Sequence, residues 1–188
     1  MLEFVQETHE YRLSGIIIPS VTQVLQASGL VDTSFFSEES AWRGSCTHLA
    51  TALDDENDLD HATVDESIRG ELEGWRKFKR DMGFVPQGIE IMRHGELHGM
   101  PFAGTPDRTG LLGVLPVTAD IKTGTLRPEV AIQLAAYTIL TGYTARIAVR
   151  LKKDGAFDLR NFPARTLRQD IKQFGAALSN WYWRHKNA

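Results

Sequence analysis

The order of helical and strand-like patterns along the 188 residues predicts an α/β (α+β) fold. Helical patterns fill the first half, three strand patterns separated by short glycine turns follow, and a helix, a strand and a last helix complete the chain. The hydrophobic fraction of 42% and the charged fraction of 24% are typical of a globular protein. No repeat, low-complexity linker or domain boundary interrupts the chain, so we expect one domain over residues 1–188.

The N-terminal segment predicts a hairpin followed by a short helix. Residues 11–18 are expected to form two strands that turn near Gly15, because β-branched isoleucines follow a turn signal. Ser20 and Gln23 stand three residues apart, which is the spacing of a capping box. A short helix should therefore begin after Ser20 and stop at Gly29.

Two longer helices are expected next. One should cover about residues 37–53, and the acidic residues 54–60 should then form an exposed loop, because they lack the glycine and terminal glutamate of a calcium-binding loop. Thr63 to Glu66 has the form of a second capping box, which predicts a helix that ends at Gly83.

The second half predicts mostly strands, joined by connections short enough for an antiparallel meander. The expected strands cover residues 88–93, 100–109, 112–121, 143–151 and 156–161. Pro128 suits the first turn of a helix that ends at Gly142. Thr166 and Gln169 are expected to cap the last helix.

Positive charge is concentrated at the C-terminal end, although the net charge of the whole chain is −3. Only Arg12 and Arg43 are basic within residues 1–66, whereas ten Lys or Arg stand against three Asp from residue 146 onward. Such a segment could track a phosphate backbone, or it could be a solvated, charge-balanced surface. Composition leaves both interpretations open.

Several classes of protein are disfavoured. The single cysteine, Cys46, is expected to be a small buried residue, and it excludes an internal disulfide framework and a cysteine-held zinc or iron–sulfur site. No apolar run approaches the length of a membrane span, and residues 1–4 do not resemble the start of a signal peptide. We therefore expect a cytoplasmic protein, of a bacterium or of a virus-infected cell, with no membrane partner.

Asp120, Ile121 and Lys122 form the pattern with the clearest chemistry. They end a predicted strand, and side chains alternate between the two faces of a strand. Asp120 and Lys122 should therefore point the same way, with Ile121 buried behind them. A carboxylate that holds a divalent cation beside an ammonium suits phosphodiester hydrolysis, although a surface ion pair would produce the same pattern.

Asp107 precedes Asp120 by 13 residues, and a hairpin of that length can bring the two carboxylates together. Two adjacent carboxylates need a cation between them, or one must be protonated. The alternative is that Asp107 only forms a turn after Pro106.

Three further side chains are candidates for the same site. Gln133 and Tyr137 lie one helical turn apart, on a helix entered directly from the Lys122 strand, and could hold a phosphate or the lysine; the alternative is a half-buried pair. His48 could complete an oxygen-rich metal site, or it could be a hydrogen-bonded core histidine. Glu90 is expected on the first strand of the meander, facing the site, where it could bind a second cation.

Taken in order, these motifs resemble the RecB-like exonuclease branch of the PD-(D/E)XK nuclease superfamily. They are R-G-x-x-x-H at residues 43–48, G-T-x-D at 104–107, D-x-K at 120–122 and Q-x-x-x-Y at 133–137. Residues 18–25 also look like the start of the mitochondrial genome maintenance exonuclease and of its phage and bacterial relatives.

The resemblance implies a restriction-endonuclease-like core, in which helices flank a central mixed sheet, and DNA cleavage that needs Mg²⁺ or Mn²⁺. It assigns the metal to His48, Asp107, Asp120 and the Ile121 carbonyl. Lys122 would be the catalytic lysine, supported by Gln133 and Tyr137. Because the cysteines of some relatives are absent, no iron–sulfur cluster is expected.

The chain carries no helicase, so it would act alone or with separate recombination or replication proteins, on DNA ends or single strands. Two other classes of function remain open. The chain could be a catalytically silent module that binds nucleic acid or a protein partner, or a hydrolase of a small phosphate ester.

Overall fold

A computed structural model describes residues 1–31 and 37–186. The strands are β1 Leu2–Val5, β2 Glu10–Leu13, β3 Ile16–Ile18, β4 Phe84–Ile89, β5 Arg93–Leu97, β6 Met100–Gly104, β7 Arg108–Leu112, β8 Leu115–Lys122, β9 Ala145–Leu151 and β10 Phe157–Phe162. The helices are α1 Val21–Ala27, α2 Glu38–Glu56, α3 Arg69–Met82, α4 Val130–Thr141 and α5 Ala164–Lys186.

The centre of the molecule is a five-stranded mixed sheet with the strand order β10-β9-β8-β7-β4. β8 and β9 run parallel and are connected through α4, because parallel neighbours need a crossover; the other neighbouring strands are antiparallel. Trp75 and Phe78 of α3 pack on one face of the sheet, and an apolar cluster that includes α1, α4 and α5 covers the other face. The predicted α/β class, with helices flanking a mixed sheet, is confirmed.

The predicted strand over residues 100–109 is wrong, because the segment forms two strands in two different sheets. β6 pairs with β5 as a separate two-stranded sheet, whereas β7 begins at Arg108 between β4 and β8. The chain leaves the first ladder at Thr105, and Pro106 has no N–H with which to continue it. The meander of the central sheet is therefore interrupted by a hairpin.

Local signals at the N-terminus and at two helix ends are confirmed. Ser20 Oγ accepts from the Gln23 N–H at 3.0 Å, and Gln23 Oε1 accepts from the Ser20 N–H at 2.9 Å. The predicted hairpin within residues 11–18 forms, and β1 adds a third strand that the pattern did not predict. The helices α3 and α4 end at Gly83 and Gly142, whose φ angles of +62° and +76° suit glycine.

The two threonine caps are wrong. The Thr63 hydroxyl donates to the Asp60 carbonyl at 2.8 Å, and the Thr166 hydroxyl donates to the Pro163 carbonyl at 3.0 Å. Each hydroxyl therefore bonds backwards along the chain instead of accepting from an N–H group ahead of it. α3 begins later than predicted, at Arg69, after two short 3-10 turns.

Neither interpretation of the basic C-terminal segment applies to Arg146, which is 1% exposed. Its guanidinium donates to the Ala131 carbonyl at 2.8 Å, to Asp170 at 2.8 Å and to the Thr166 hydroxyl at 3.1 Å. Arg146 therefore ties β9 to α4 and α5 and contacts no solvent. Within the described ranges, no helix combines the length and the apolar character that a bilayer crossing requires.

Candidate active site

Asp107 and Asp120 meet at the open ends of β7 and β8. The last residue pair of this ladder is Arg108 with Ala119, so Asp107 lies opposite Asp120, one position beyond it. Asp107 Oδ2 accepts from the Ile121 N–H at 2.6 Å, which holds the aspartate against the end of β8. The predicted approach of the two carboxylates is thus present in the structure.

Strand alternation separates Ile121 from its two neighbours as expected. Ile121 is fully buried against Trp75 and Phe78 on one face of the sheet. Lys122 Nζ lies 2.7 Å from Asp120 Oδ2, so the aspartate and the lysine share the other face.

Asp120 is fully buried, and neither of its oxygens accepts a well-aligned hydrogen bond from the described residues, although Lys122 forms an ion pair with it. Burial raises the pKa of the Asp120 carboxyl to about 6; Lys122 opposes the rise and Asp107 adds to it. For Lys122, burial lowers the pKa, but the charges of Asp120 and Asp107 outweigh it, so the pKa is raised and the amine stays protonated. The pair is held by charge and is short of hydrogen-bond partners.

His48 and Glu90 approach Asp107 from other elements. His48, on α2, places Nδ1 3.5 Å from Asp107 Oδ1. Glu90 lies just beyond β4, not on a strand as expected, and its φ of +47° turns the chain out of the ladder. The Glu90 N–H donates to the Asp107 carbonyl at 3.1 Å, and burial, followed by the charge of Asp107, raises the pKa of the Glu90 carboxyl.

Gln133 and Tyr137 contact each other on α4, with Gln133 Nε2 3.3 Å from the Tyr137 hydroxyl. Burial raises the pKa of Tyr137, and the charges of Asp107 and Asp120 raise it further, so the phenol keeps its proton. A Cβ at Gly104 would lie 2.9 Å from Tyr137 Cε1. This close approach is a physical reason for the glycine of the G-T-x-D motif.

A cleft of about 550 Å³ opens on the side of Asp107, Gln133 and Tyr137. The first three-stranded sheet and α1 form its opposite wall, where the Tyr11 hydroxyl lies 2.6 Å from Thr105 Oγ1. The remaining lining residues are Phe4, His9, Ser20, Val21, Thr22, Gln23, Gln26 and Gly104. Sequence reasoning assigned no role to His9 and missed this wall, because the pattern of a hairpin does not show what it packs against.

The candidate metal ligands are of suitable chemical types, but their side chains are not arranged around a common point. Carboxylate and carbonyl oxygens with one imidazole suit Mg²⁺ or Mn²⁺, and the oxygens of Asp120, which accept no well-aligned hydrogen bond from the described residues, are available to a cation. Over residues 1–31 and 37–186, however, no three His, Cys, Asp or Glu side chains converge closely enough to form a metal cluster. The residue types therefore fit a divalent cation, while some side chains would have to move to bind it.

A second ionic cluster lies directly behind the site and was not predicted. The Asp55 side chain, on α2, has no exposure and accepts from Arg108 Nε at 2.6 Å, Lys79 Nζ at 2.6 Å and Trp75 Nε1 at 3.0 Å. Arg108 also donates to the Asp107 carbonyl at 2.6 Å. The expected exposed acidic loop is therefore wrong for Asp54 and Asp55, which belong to the last turns of α2.

Comparisons with known proteins give distant structural likenesses. No family model matches the chain, and no curated relative matches it. The alkaline exonuclease LHK-Exo from Laribacter hongkongensis is 15% identical, with a TM-score of 0.44 over 90% of this chain and 93% of that one, and its dAMP complex gives a TM-score of 0.43 over the same shares. The crystal structure of SSO0001 gives a TM-score of 0.34 at 15% identity over 82% of each chain. Likenesses this distant leave the function to be argued from the chain's own residues.

Proposed function

We propose that this chain is a metal-dependent nuclease that hydrolyses phosphodiester bonds of DNA, and that it acts as an exonuclease on ends or single strands. The observation that carries the proposal is the buried carboxylate of Asp120, which accepts no well-aligned hydrogen bond from the described residues and lies beside Asp107 and the ammonium of Lys122. Burying such a group costs free energy unless a ligand compensates for it, so its retention favours a functional site.

The roles of the side chains follow from their placement. Asp107, Asp120 and His48, with the Ile121 carbonyl, would hold Mg²⁺ or Mn²⁺, which when bound polarises a phosphodiester and acidifies a water molecule. Lys122, charged and 29% exposed, can donate to an oxygen that gains negative charge during hydrolysis.

Tyr137 and Gln133 would position the substrate and not exchange protons. The raised pKa keeps the proton of the Tyr137 hydroxyl, which accepts from Gln133 and can donate to a phosphate oxygen in the cleft. A catalytically silent binding module remains the competing proposal, because the ligand side chains do not converge into a metal cluster among the described residues.

The test is digestion of end-labelled linear DNA and of circular DNA, each single- and double-stranded, with Mg²⁺, Mn²⁺ or chelator. We expect cleavage of linear substrates only with a metal, and resistance of circles. Lys122→Ala and Asp120→Asn should each lower the rate by at least about a hundredfold. Lys77→Ala, an exposed lysine on α3, is the control. Wild-type rates in both site variants would refute the proposal, and binding of DNA without any cleavage would support the silent module.

A further inference from the structure

A second depression lies on the Lys122 side of the site. β8 and β9 are parallel neighbours with Lys122 opposite Arg150, so the residues that follow each strand emerge together at one edge of the sheet. α2 closes the other side, where a Cβ at Gly44 would lie 3.8 Å from Thr123 Oγ1. The resulting groove has a volume of about 410 Å³ and includes Arg43, Thr123, Arg150, Lys152, Lys153 and Asp154 in its lining.

The turn that carries the two lysines is held rigidly against α3. A Cβ at Gly70 would lie 1.9 Å from the Lys153 carbonyl oxygen, and one at Gly74 would lie 2.7 Å from the Ala156 carbonyl oxygen. The backbone of this turn can approach α3 so closely only because both positions are glycine. The Lys152 N–H donates to the Ala156 carbonyl at 3.0 Å, which closes the turn.

Positive charge dominates the lining, with four cations and one carboxylate. Lys152 forms an ion pair with Asp158 at 2.6 Å, and Arg150 lies 3.6 Å from the same carboxylate. Arg43 lies 3.6 Å from Glu71, which is buried beneath the groove. Lys153 is exposed, and no ion pair to it is found among the described residues.

The two depressions beside the catalytic cluster thus differ in charge. The cleft on the Tyr137 side has no Lys or Arg among its described lining residues, whereas the groove on the Lys122 side has four. Guanidinium and ammonium groups are the side chains that bind phosphate most strongly, and phosphate contacts dominate the affinity of proteins for nucleic acid.

We propose that this basic groove binds the sugar–phosphate backbone of the DNA strand on the Lys122 side of the cleaved bond. The inference rests on the proposed nuclease function and adds an asymmetry to it. The strand is held by its phosphates on one side of the site, and on the other side it meets a partly aromatic wall whose described lining has no Lys or Arg.

The test measures binding without chemistry. The affinity of a fluorescein-labelled single-stranded oligodeoxynucleotide is followed by anisotropy in EDTA over a range of salt concentrations. The variant is Lys152→Gln with Lys153→Gln. The matched control is Lys77→Gln with Arg80→Gln, exposed residues towards the other end of α3; each pair removes two positive charges and one close lysine–aspartate ion pair.

We expect the slope of log Kd against log salt to fall by about 1.4 in the groove variant, at about 0.7 for each phosphate contact, and to stay at the wild-type value in the control. Equal slopes in the two variants, or a wild-type chain that does not bind the oligonucleotide, would overturn the proposal that the groove binds DNA. Displacement of the DNA by poly-glutamate of equal charge and concentration would overturn its assignment to nucleic acid.

Cleavage in Mg²⁺ and Mn²⁺ separates the two proposals. If wild-type chain cleaves DNA and the groove variant binds like the control, only the groove proposal fails. If the groove variant shows the expected fall in the slope of log Kd against log salt and no substrate is cleaved, only the nuclease proposal fails.

Discussion

Two charged clusters lie on either side of the backbone at Asp107 and Arg108. They differ in how completely their charged groups are paired by hydrogen bonds. In the satisfied cluster, the Asp55 carboxylate has no exposure and accepts hydrogen bonds from an arginine, a lysine and an indole. In the unsatisfied cluster, which contains Asp107 and Lys122, the Asp120 carboxylate is equally buried but accepts no well-aligned hydrogen bond from the described residues.

The difference separates a cluster whose charges are paired from one whose buried carboxylate is the proposed metal ligand. A buried carboxylate with several donors stabilises a single arrangement of its neighbours, whereas one that lacks donors lowers stability and leaves its oxygens available to a ligand. Arg108 links the two clusters, because it contacts both Asp55 and the Asp107 carbonyl. The satisfied cluster can therefore hold in place the backbone on which the unsatisfied one depends.

The largest expected effect is on the satisfied cluster. Asp55→Asn removes the charge that compensates Arg108, which has no exposure, and should lower the free energy of unfolding by about 3–5 kcal/mol. Urea unfolding followed by circular dichroism measures the change. Asp81→Asn, which removes an exposed partner of Lys77, should have a much smaller effect, because solvent screens a surface ion pair. Equal losses in the two variants would contradict the contrast.

At the unsatisfied cluster, removing the carboxylate charge is expected to raise the free energy of unfolding. Because burial raises the pKa of Asp120 to about 6 from its ordinary value of 3.8, its ionised form destabilises the folded chain. This penalty is nearly absent at about pH 3, grows between about pH 4 and pH 6, and levels off above the folded pKa at no more than about 3 kcal/mol.

In chelator, Asp120→Asn should therefore be more stable than wild type at about pH 8, and the advantage should shrink below pH 6 and disappear towards pH 3. Thermal unfolding of both proteins across this range tests the prediction. Asp81→Asn is a comparison of opposite sign, because Lys77 lowers the pKa of Asp81 and its removal should give no gain in stability as the pH rises. A stability difference that does not change with pH would show that the charge of Asp120 is not its source.

Metal binding should reverse the penalty. Mn²⁺ at about a hundredfold its dissociation constant should stabilise the wild-type chain by about 2.7 kcal/mol, and EDTA should remove this gain. Asp120→Asn should show a much smaller rise in melting temperature, because it loses an anionic ligand. The same rise in both proteins would place the bound ion elsewhere.

The smallest expected effect concerns the packing that supports the cluster. A Cβ at Gly104 meets Tyr137 at 2.9 Å and both Leu140 and Val21 at 3.2 Å, so Gly104→Ala should lower stability by about 1–3 kcal/mol. It should also slow cleavage by displacing the Tyr137 ring. Gly124→Ala is the control, because a Cβ there has no neighbour within 4 Å. Wild-type stability and rate in Gly104→Ala would show that the Tyr137 ring yields without consequence.

Features that depend on neighbouring residues along the chain were predictable. The Ser20–Gln23 capping box needs only a spacing of three, and the shared face of Asp120 and Lys122 needs only strand alternation. Glycine in a left-handed conformation marked the ends of α3 and α4 for the same reason. Threonine at residues 63 and 166 misled, because its hydroxyl can bond backwards as readily as it can cap a helix.

Features that depend on distant partners were not predictable. The split of residues 100–109 requires knowing that β6 pairs with β5 and β7 with β4 and β8. Asp55 looked like part of a solvated loop because its compensating charges, Lys79 and Arg108, stand 24 and 53 residues away. Arg146 looked like a surface charge for the same reason, since Arg146 lies on β9 and Asp170, its partner, lies 24 residues away on α5.

The sequence by itself determined the fold class and the order of the motifs, because hydrophobic periodicity, caps and strand alternation act over a few residues. It also placed Asp120 and Lys122 on one face of the sheet. Only the tertiary structure decided which charges are satisfied, because burial and pairing depend on residues brought together across the sheet. That is why two acidic residues with similar chemistry, Asp55 and Asp120, have opposite surroundings in the folded chain.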